Sequence, residues 1–131
     1  MLFHKFRSQE ERREFSGSDF IELQYCRLPH GSDTAKIVAT DAIENWKNDS
    51  LYIYGDDMDV FCANYEEIIT GGLYNNMSHG PIDPYGINFY SREQSGQIVQ
   101  LLCTRKPLEY ETLLTWLEEG KKYIGFYVLG V

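Results

Sequence analysis

The stretch Tyr123-Ile124-Gly125-Phe126-Tyr127-Val128-Leu129 decides the fold class of this chain of 131 residues. Its aromatic and β-branched residues are typical of a buried strand. The stretch follows two predicted helices, so it has to run back to a sheet that earlier segments form. Because almost no chain follows it in this sequence, we expect this last strand to be built into the sheet.

Two segments with helical periodicity precede this strand. Residues 92–104 place Ile98, Leu101 and Leu102 on one face, and Pro107 breaks the predicted helix. Gly120 closes the next predicted helix, whose apolar residues follow helical spacing: Tyr110, Leu113, Leu114 and Leu117. Each helix therefore has one apolar face to pack against a sheet.

The first half of the chain is predicted to supply most of the sheet. Alternating apolar residues predict a strand over residues 20–28, and a turn leads to a second predicted strand over residues 35–40 that pairs back on it. Further strands are predicted over residues 51–54 and 85–90. Residues 41–50 are compatible with either a continued strand or a short helix.

Helical spacing also appears directly after residue 54. Asp56 or Asp57 is predicted to cap this helix, because a carboxylate accepts hydrogen bonds from free backbone N–H groups and suits the positive end of the helix dipole. Gly71-Gly72 ends the helix. Its apolar positions are Met58, Phe61, Tyr65, Ile68 and Ile69.

Strands followed by helices and a closing strand are typical of an α+β fold. We therefore expect one compact α+β domain over residues 1–131, with an antiparallel-rich sheet and about three helices. No repeat, low-complexity segment or Gly/Ser linker divides the sequence. A chain of this length buries enough surface for a self-standing core.

The acidic residues are concentrated in one segment. The sequence has 12 Lys and Arg against 20 Asp and Glu, which gives a formal net charge of −8. Residues 41–67 hold eight of these acids and one base, Lys47, so nearly all of the net charge lies there. A solubilising surface normally intersperses both signs, so the segment favours a binding surface, with a solvated face that carries a few helix caps as the alternative. An acidic surface repels nucleic acid and anionic membranes, and it suits a basic partner.

The cysteines and the first residues indicate the compartment. Three widely spaced cysteines argue against a secreted domain framed by disulfides: Cys26, Cys62 and Cys103. Charged residues interrupt the first 14 positions, so no signal peptide is predicted, and no apolar run has the length of a membrane span. We therefore expect a cytoplasmic protein without membrane contact.

The string Tyr54-Gly55-Asp56-Asp57 is similar to the metal-binding hairpin of RNA-dependent polymerases. Such a site also needs another acidic strand and a basic template channel, which a short acidic chain does not offer. A smaller metal site from Asp56, Asp57 and Asp59 is an alternative, although the glycine precedes the acids instead of following them as in a calcium loop.

No other pattern in the sequence indicates catalysis. His79 lies close to Ser78 and Asp83 in one loop, but a triad needs a nucleophile that is presented separately to the substrate. Nucleophile elbows, phosphate loops and paired-cysteine motifs are absent from the sequence. We therefore expect no enzyme activity and no cofactor. The Gly- and Pro-rich loop over residues 71–84 favours binding instead.

Aromatic residues accompany the acidic segment. Nine of them lie between Trp46 and Tyr90, and six of the nine are tyrosines, which interfaces favour. Aromatic faces and carboxylates together suit an Arg- or Lys-rich partner, whereas the alternative is that about half of the rings are core residues. The candidate partner-binding residues are Asp41, Glu44, Trp46, Asp49, Asp56, Asp57, Asp59, Tyr65, Glu66, Glu67, Tyr74 and His79.

In size, acidity and order of elements, the chain resembles the small immunity proteins that bacteria encode beside secreted polymorphic toxins. The residues that carry the resemblance are Tyr85-Gly86-Ile87-Asn88-Phe89-Tyr90, Lys106-Pro107, Trp116-Leu117-Glu118 and Gly125-Phe126-Tyr127-Val128-Leu129-Gly130. The resemblance implies a cytoplasmic protein that binds and blocks a cognate toxin, commonly a basic nuclease. The acidic segment would then compete with nucleic acid for the phosphate-binding groove of the toxin.

Two other function classes remain open at this point. One is a small metal-dependent hydrolase that uses the clustered aspartates as ligands. The other is a regulatory subunit or a homo-oligomeric domain without catalysis.

Overall fold

A six-stranded antiparallel sheet organises the fold. The computed structural model describes residues 1–16, 19–44 and 46–130. The strands in chain order are β1 (Phe20–Tyr25), β2 (Leu51–Tyr54), β3 (Gly72–Leu73), β4 (His79–Gly80), β5 (Ile87–Ser91) and β6 (Gly125–Leu129). They are arranged in the order β2-β1-β6-β5-β3-β4. The last strand in the chain, β6, therefore lies inside the sheet between β1 and β5, as its apolar sequence predicts.

Five α-helices complete the described part of the chain, which confirms the α+β class. They are α1 (Gln9–Ser16), α2 (Thr34–Ile37), α3 (Met58–Tyr65), α4 (Arg92–Arg105) and α5 (Tyr110–Glu119). The three predicted helices are α3, α4 and α5, and the sequence pattern missed α1 and the single turn of α2. In the described ranges, no helix is both long enough and apolar enough to cross a membrane.

The predicted second strand over residues 35–40 is wrong. The chain forms α2 there, followed by a 3-10 turn at Thr40–Ala42. Strand β1 already pairs with β2 on one side and with β6 on the other, so neither of its edges is free for a hairpin partner. The apolar residues of this segment cover the sheet instead, and the Tyr127 hydroxyl donates a 2.5 Å hydrogen bond to the Ile37 carbonyl.

The main core lies between one face of the sheet and helices α3 to α5. Ile21 and Leu23 of β1 and Phe126 and Val128 of β6 belong to this cluster. The helices contribute Phe61, Tyr65, Ile98, Leu102, Leu113, Trp116 and Leu117. The opposite face is also covered, because every residue of β1 is buried.

The first residues of the chain belong to the fold, which the sequence pattern did not predict. His4 and Tyr52 exchange two backbone hydrogen bonds, of 2.8 and 2.9 Å, so residues 3–5 cover the outer edge of β2. The Glu109 carboxylate accepts hydrogen bonds from the backbone N–H groups of Leu2 and Phe3 at 2.5 and 3.3 Å. This covering leaves β2 less open to pairing with another chain.

Helix α3 differs from the prediction at both of its ends. Residues Gly55–Asp57 form a 3-10 turn, and Asp57 directly precedes α3 without a capping hydrogen bond from its side chain. Helix α3 ends at Tyr65, although Ile68 and Ile69 are buried beyond it. The carboxylates of this turn are therefore not used as caps.

Candidate protein-binding surface

The fold divides the acidic segment, residues 41–67, between two regions. Residues 43–44 and 46–50 belong to a loop segment without helix or strand that packs beside β1, whereas residues 55–67 contain the 3-10 turn and α3. The carboxylates in the two regions have different surroundings. Their charges are therefore available to a partner to different extents.

The two acids of the loop are neutralised within the chain. Glu44 forms ion pairs with Lys47 at 3.0 Å and with Arg27 at 3.7 Å. Asp49 forms an ion pair with Arg27 and accepts a 2.7 Å hydrogen bond from the Trp116 indole at its backbone carbonyl. Glu44 and Asp49, both predicted to contact a partner, therefore hold the loop against the body of the protein.

A buried polar cluster beneath the loop explains its fixed path. Gln24 exchanges hydrogen bonds with the backbone of Glu44, donating at 2.9 Å and accepting at 3.2 Å. The Tyr52 hydroxyl donates to the Lys47 carbonyl at 2.9 Å. The carboxylate of Glu22 lies among these groups, and burial raises its pKa. Sequence reasoning missed this cluster, although Glu22 and Gln24 are the polar residues of an otherwise apolar strand.

Four of the five acids of the second region have no such partners. Among the residues that the structure describes, the carboxylates of Asp56, Asp57, Asp59 and Glu66 form no ion pair. Asp56, Asp59 and Glu66 are exposed, and Asp57 is half-buried. Residues three and seven apart share a helix face, which places Asp59 and Glu66 in one row with Asp56 at its start.

Two exposed apolar side chains border this row. Val60 is 43% exposed and Leu108 is 49% exposed. The side chain of Asn64 links the backbones of these two residues. It donates a 2.9 Å hydrogen bond to the Val60 carbonyl and accepts a 3.3 Å hydrogen bond from the Leu108 N–H. Glu67 follows Glu66 at the C-terminal end of the row, and its carboxylate forms an ion pair with Arg105 at 3.0 Å. We call this region the acidic α3 surface: Asp56, Asp57, Asp59, Val60, Glu66, Glu67 and Leu108.

Two buried aromatic side chains fix helix α3 against the core. The rings of Phe61 and Tyr65 are fully buried and stack 5.5 Å apart, and Phe3 meets both of them edge-on. The Tyr65 hydroxyl donates a 2.5 Å hydrogen bond to the Leu108 carbonyl. The prediction that Tyr65 contacts a partner is therefore wrong, since its side chain is fully in the core. Its role is to position the surface.

The carboxylates change the pKa of their neighbours. Burial raises the pKa of the Cys62 thiol, and Glu66 and Asp59 raise it further. A hydrogen bond to Asp56 raises the pKa of the Tyr54 hydroxyl, with added repulsion from Asp56, Asp19 and Asp57. Negative potential therefore extends from the 3-10 turn along α3, and Asp19 adds to it from outside the predicted segment.

The predicted loop contacts lie at the other edge of the sheet. His79 is in β4, and its Nδ1 is 2.9 Å from the Gly71 carbonyl oxygen. The Tyr74 hydroxyl donates to the Pro81 carbonyl at 2.6 Å. Strands β2 and β4 are the two edge strands, five spacings of about 4.8 Å apart, or roughly 24 Å. In the described residues, the hydrogen bonds of the Tyr74 and His79 side chains go to Pro81 and Gly71 and not to the acidic α3 surface.

The remaining two candidates lie between these regions. Asp41 is exposed in the 3-10 turn Thr40–Ala42, next to a groove of about 430 Å³. The groove separates this turn from the loop that carries Tyr74 and Tyr85. Trp46 is half-buried and packs against the cluster of Phe6, Phe20 and Tyr52. Asp41 and Trp46 therefore lie in different surroundings, Asp41 beside the groove and Trp46 against this aromatic cluster.

The geometry of the clustered aspartates also bears on metal binding. Within residues 1–16, 19–44 and 46–130, no group of three His, Cys, Asp or Glu side chains converges closely enough to hold a metal ion. This includes Asp56, Asp57 and Asp59. The three side chains contribute negative charge to the acidic α3 surface.

Comparison of the chain with protein-family models, with curated proteins and with solved structures found no match. What the acidic α3 surface can do is therefore inferred from its own side chains.

Proposed function

We propose that this chain is a cytoplasmic binding protein, similar to bacterial immunity proteins, that neutralises a basic protein toxin through the acidic α3 surface. The observation that carries the proposal is the row of exposed carboxylates at Asp56, Asp59 and Glu66, which have no ion pair in the described part of the chain. Neighbouring acids repel one another, so a row of this kind gains free energy when a basic surface covers it.

The surface also has the composition of a binding site. Val60 and Leu108 provide exposed apolar area beside the carboxylates, as in the core and rim of protein interfaces. Helix α3 is fixed by Phe61 and Tyr65, so little conformational entropy is lost when a partner binds. Charged side chains at the edge accelerate association with a partner of opposite charge.

A nuclease is the class of toxin that this surface fits best. A nuclease binds the phosphates of its substrate with Lys and Arg side chains. Carboxylates held in a row on a rigid helix fit the same basic groove and exclude nucleic acid from it. In this role the chain acts without catalysis and without a cofactor, and its own acidic surface does not bind nucleic acid.

The proposal is tested in two steps: the genes next to this one are read for a secreted protein with a toxin domain at its C-terminus, and this chain is then co-expressed with that domain. The test variant is Asp56→Lys/Asp59→Lys/Glu66→Lys. A control with the same change in charge is Glu10→Lys/Glu14→Lys/Glu111→Lys, which alters exposed acids outside the acidic α3 surface. Circular dichroism shows whether each variant keeps its fold.

We expect the wild-type chain and the control variant to restore growth of cells that express the toxin domain. The test variant should fail, and its affinity for the purified domain should fall at least tenfold per reversed charge pair. The wild-type affinity should also weaken as the salt concentration rises. Full protection by a folded test variant, or no binding of the purified wild-type chain to the domain, would overturn the proposal.

A further inference from the structure

A cavity on the helix side of the sheet is separate from the acidic α3 surface. It has a volume of about 230 Å³ and lies between α4, the end of α5 and the start of β6. Its apolar walls include Tyr25, Val99, Leu117, Tyr123 and Phe126. None of these residues belongs to the acidic α3 surface, so the cavity has no part in the function proposed above.

The aromatic walls of the cavity are rigid. The Tyr25 ring is stacked between Trp116 and Tyr123, with centroid distances of 4.1 and 4.8 Å. The Tyr25 hydroxyl donates a 2.6 Å hydrogen bond to the Trp116 carbonyl. Phe126 meets the Trp116 ring edge-on at 5.7 Å. The walls therefore cannot easily collapse into the cavity, which is typical of a largely pre-formed ligand site.

Gly96 is an exposed residue in the lining of the cavity. It lies within α4, where glycine destabilises a helix relative to alanine. A Cβ atom built at Gly96 would have no atom within 4 Å. Alanine would therefore fit here without a clash and favour the helix, and a larger side chain would have open space to occupy.

Two basic residues line the cavity together with its apolar walls. Lys121 is engaged with Glu118 at 2.6 Å. Arg92 is exposed and forms no ion pair with any residue that the structure describes. A guanidinium binds a carboxylate with two parallel hydrogen bonds. In a chain of net charge −8, this arginine beside an apolar cavity selects for an anionic group on a hydrophobic ligand.

The volume sets the size of that ligand. An apolar cavity of about 150 Å³ has room for one benzene ring. The cavity here is larger, at about 230 Å³, so it accommodates a ring with a short substituent. We propose that this cavity binds a small aromatic carboxylate, with its ring against the tyrosine and phenylalanine walls and its carboxylate on Arg92.

The test is a titration of the full chain with 3-phenylpropanoate, followed by amide chemical shifts in two-dimensional NMR spectra. The uncharged 3-phenylpropanamide serves as the second probe, because it has the same ring and length. Gly96→Leu and Val99→Phe each place a side chain in the cavity. Gln97→Leu, on the exposed side of the same helix, is the matched control. Arg92→Gln removes the cation, and Arg105→Gln is its control on α4.

We expect saturable shifts at the cavity residues, with the carboxylate binding about tenfold more tightly than the amide. Gly96→Leu and Val99→Phe should abolish the shifts, whereas Gln97→Leu should not. Arg92→Gln should bind both probes equally, and Arg105→Gln should keep the preference. The proposal is overturned by the absence of saturable binding, by equal affinity of the wild type for both probes, or by unchanged binding to both folded cavity-filling variants.

Discussion

The carboxylate of Glu22 accepts a 2.7 Å hydrogen bond from the Ser50 hydroxyl, which fastens the middle of β1 to the residue before β2. Gln24 donates to the same oxygen at 3.0 Å, and the oxygen of the Tyr52 hydroxyl, whose proton is given to the Lys47 carbonyl, lies 3.2 Å from it. Burial raises the pKa of Glu22, because these hydrogen bonds and nearby Arg12 only partly replace its lost hydration. This carboxylate is therefore a structural element that responds to pH.

We expect the contribution of Glu22 to stability to decline as pH rises. The folded chain keeps the Glu22 proton to a higher pH than the unfolded chain, whose pKa is near 4.5, so the native state binds more protons in this interval. The free energy of unfolding of the wild type minus that of Glu22→Gln should become more negative from pH 4.5 towards neutrality. Urea unfolding of both proteins at several pH values measures this difference in free energy. The exposed Glu111→Gln is the control, and a difference independent of pH contradicts the prediction.

The hydrogen bond from Trp116 to the Asp49 carbonyl should matter more than the ion pair beside it. Trp116→Phe removes this 2.7 Å hydrogen bond and part of the packing of a buried indole, so it should lower the free energy of unfolding by at least about 1–3 kcal/mol. Arg27→Gln breaks the partly exposed pairs with Glu44 and Asp49 and should cost less than about 1 kcal/mol. Chemical denaturation of both variants gives the ranking, and the reverse order would show that charge holds the loop.

Two buried tyrosines should respond in opposite ways to loss of the hydroxyl. Tyr65 donates a 2.5 Å hydrogen bond to the Leu108 carbonyl, so Tyr65→Phe should cost about 1–3 kcal/mol. The Tyr90 hydroxyl is buried without a hydrogen-bond partner in the described residues, so Tyr90→Phe should leave stability unchanged or raise it. Thermal and urea unfolding test the pair together. Equal losses of stability in the two variants would mean that the Tyr90 hydroxyl forms a hydrogen bond in solution, which contradicts the prediction.

The thiols should report the negative potential of the acidic α3 surface. Burial, Glu66 and Asp59 raise the pKa of Cys62, and the thiolate is the reactive form. Asp59→Asn/Glu66→Gln should therefore speed the labelling of Cys62 by a neutral thiol reagent at fixed pH. The exposed Cys103, which lies on α4, serves as an internal control. An unchanged ratio of the two labelling rates would show that the carboxylates do not face Cys62.

Helices α4 and α5 show what local sequence can predict. Both have apolar residues at helical spacing, and α4 also begins with Ser91 and Gln94, which form a capping box. These signals involve residues within one or two turns of each other, so no knowledge of the rest of the chain is needed. The same holds for β1, β2, β5 and β6, whose apolar or aromatic runs are visible directly.

The failures concern residues whose state depends on distant partners. Ile37 and Val38 are β-branched and predict a strand, but both edges of β1 are occupied, so they form part of a helical cover. Tyr65 has the composition of an interface residue, but its position on the inner side of α3 makes it a core residue. Neither outcome follows from a local pattern, because each depends on which strand or helix packs opposite.

The sequence by itself determined the α+β class, the inclusion of the closing strand in the sheet and the concentration of acids in residues 41–67. Only the tertiary structure decided which of those acids are free. Arg27 is brought to Glu44 and Asp49 by strand pairing and loop packing, which neutralises that end of the segment. Within the part of the chain that the structure describes, Asp59 and Glu66 on the exposed side of α3 meet no such partner. Charge is a property of composition, but its availability depends on three-dimensional proximity, since ion pairs form only within a few ångströms.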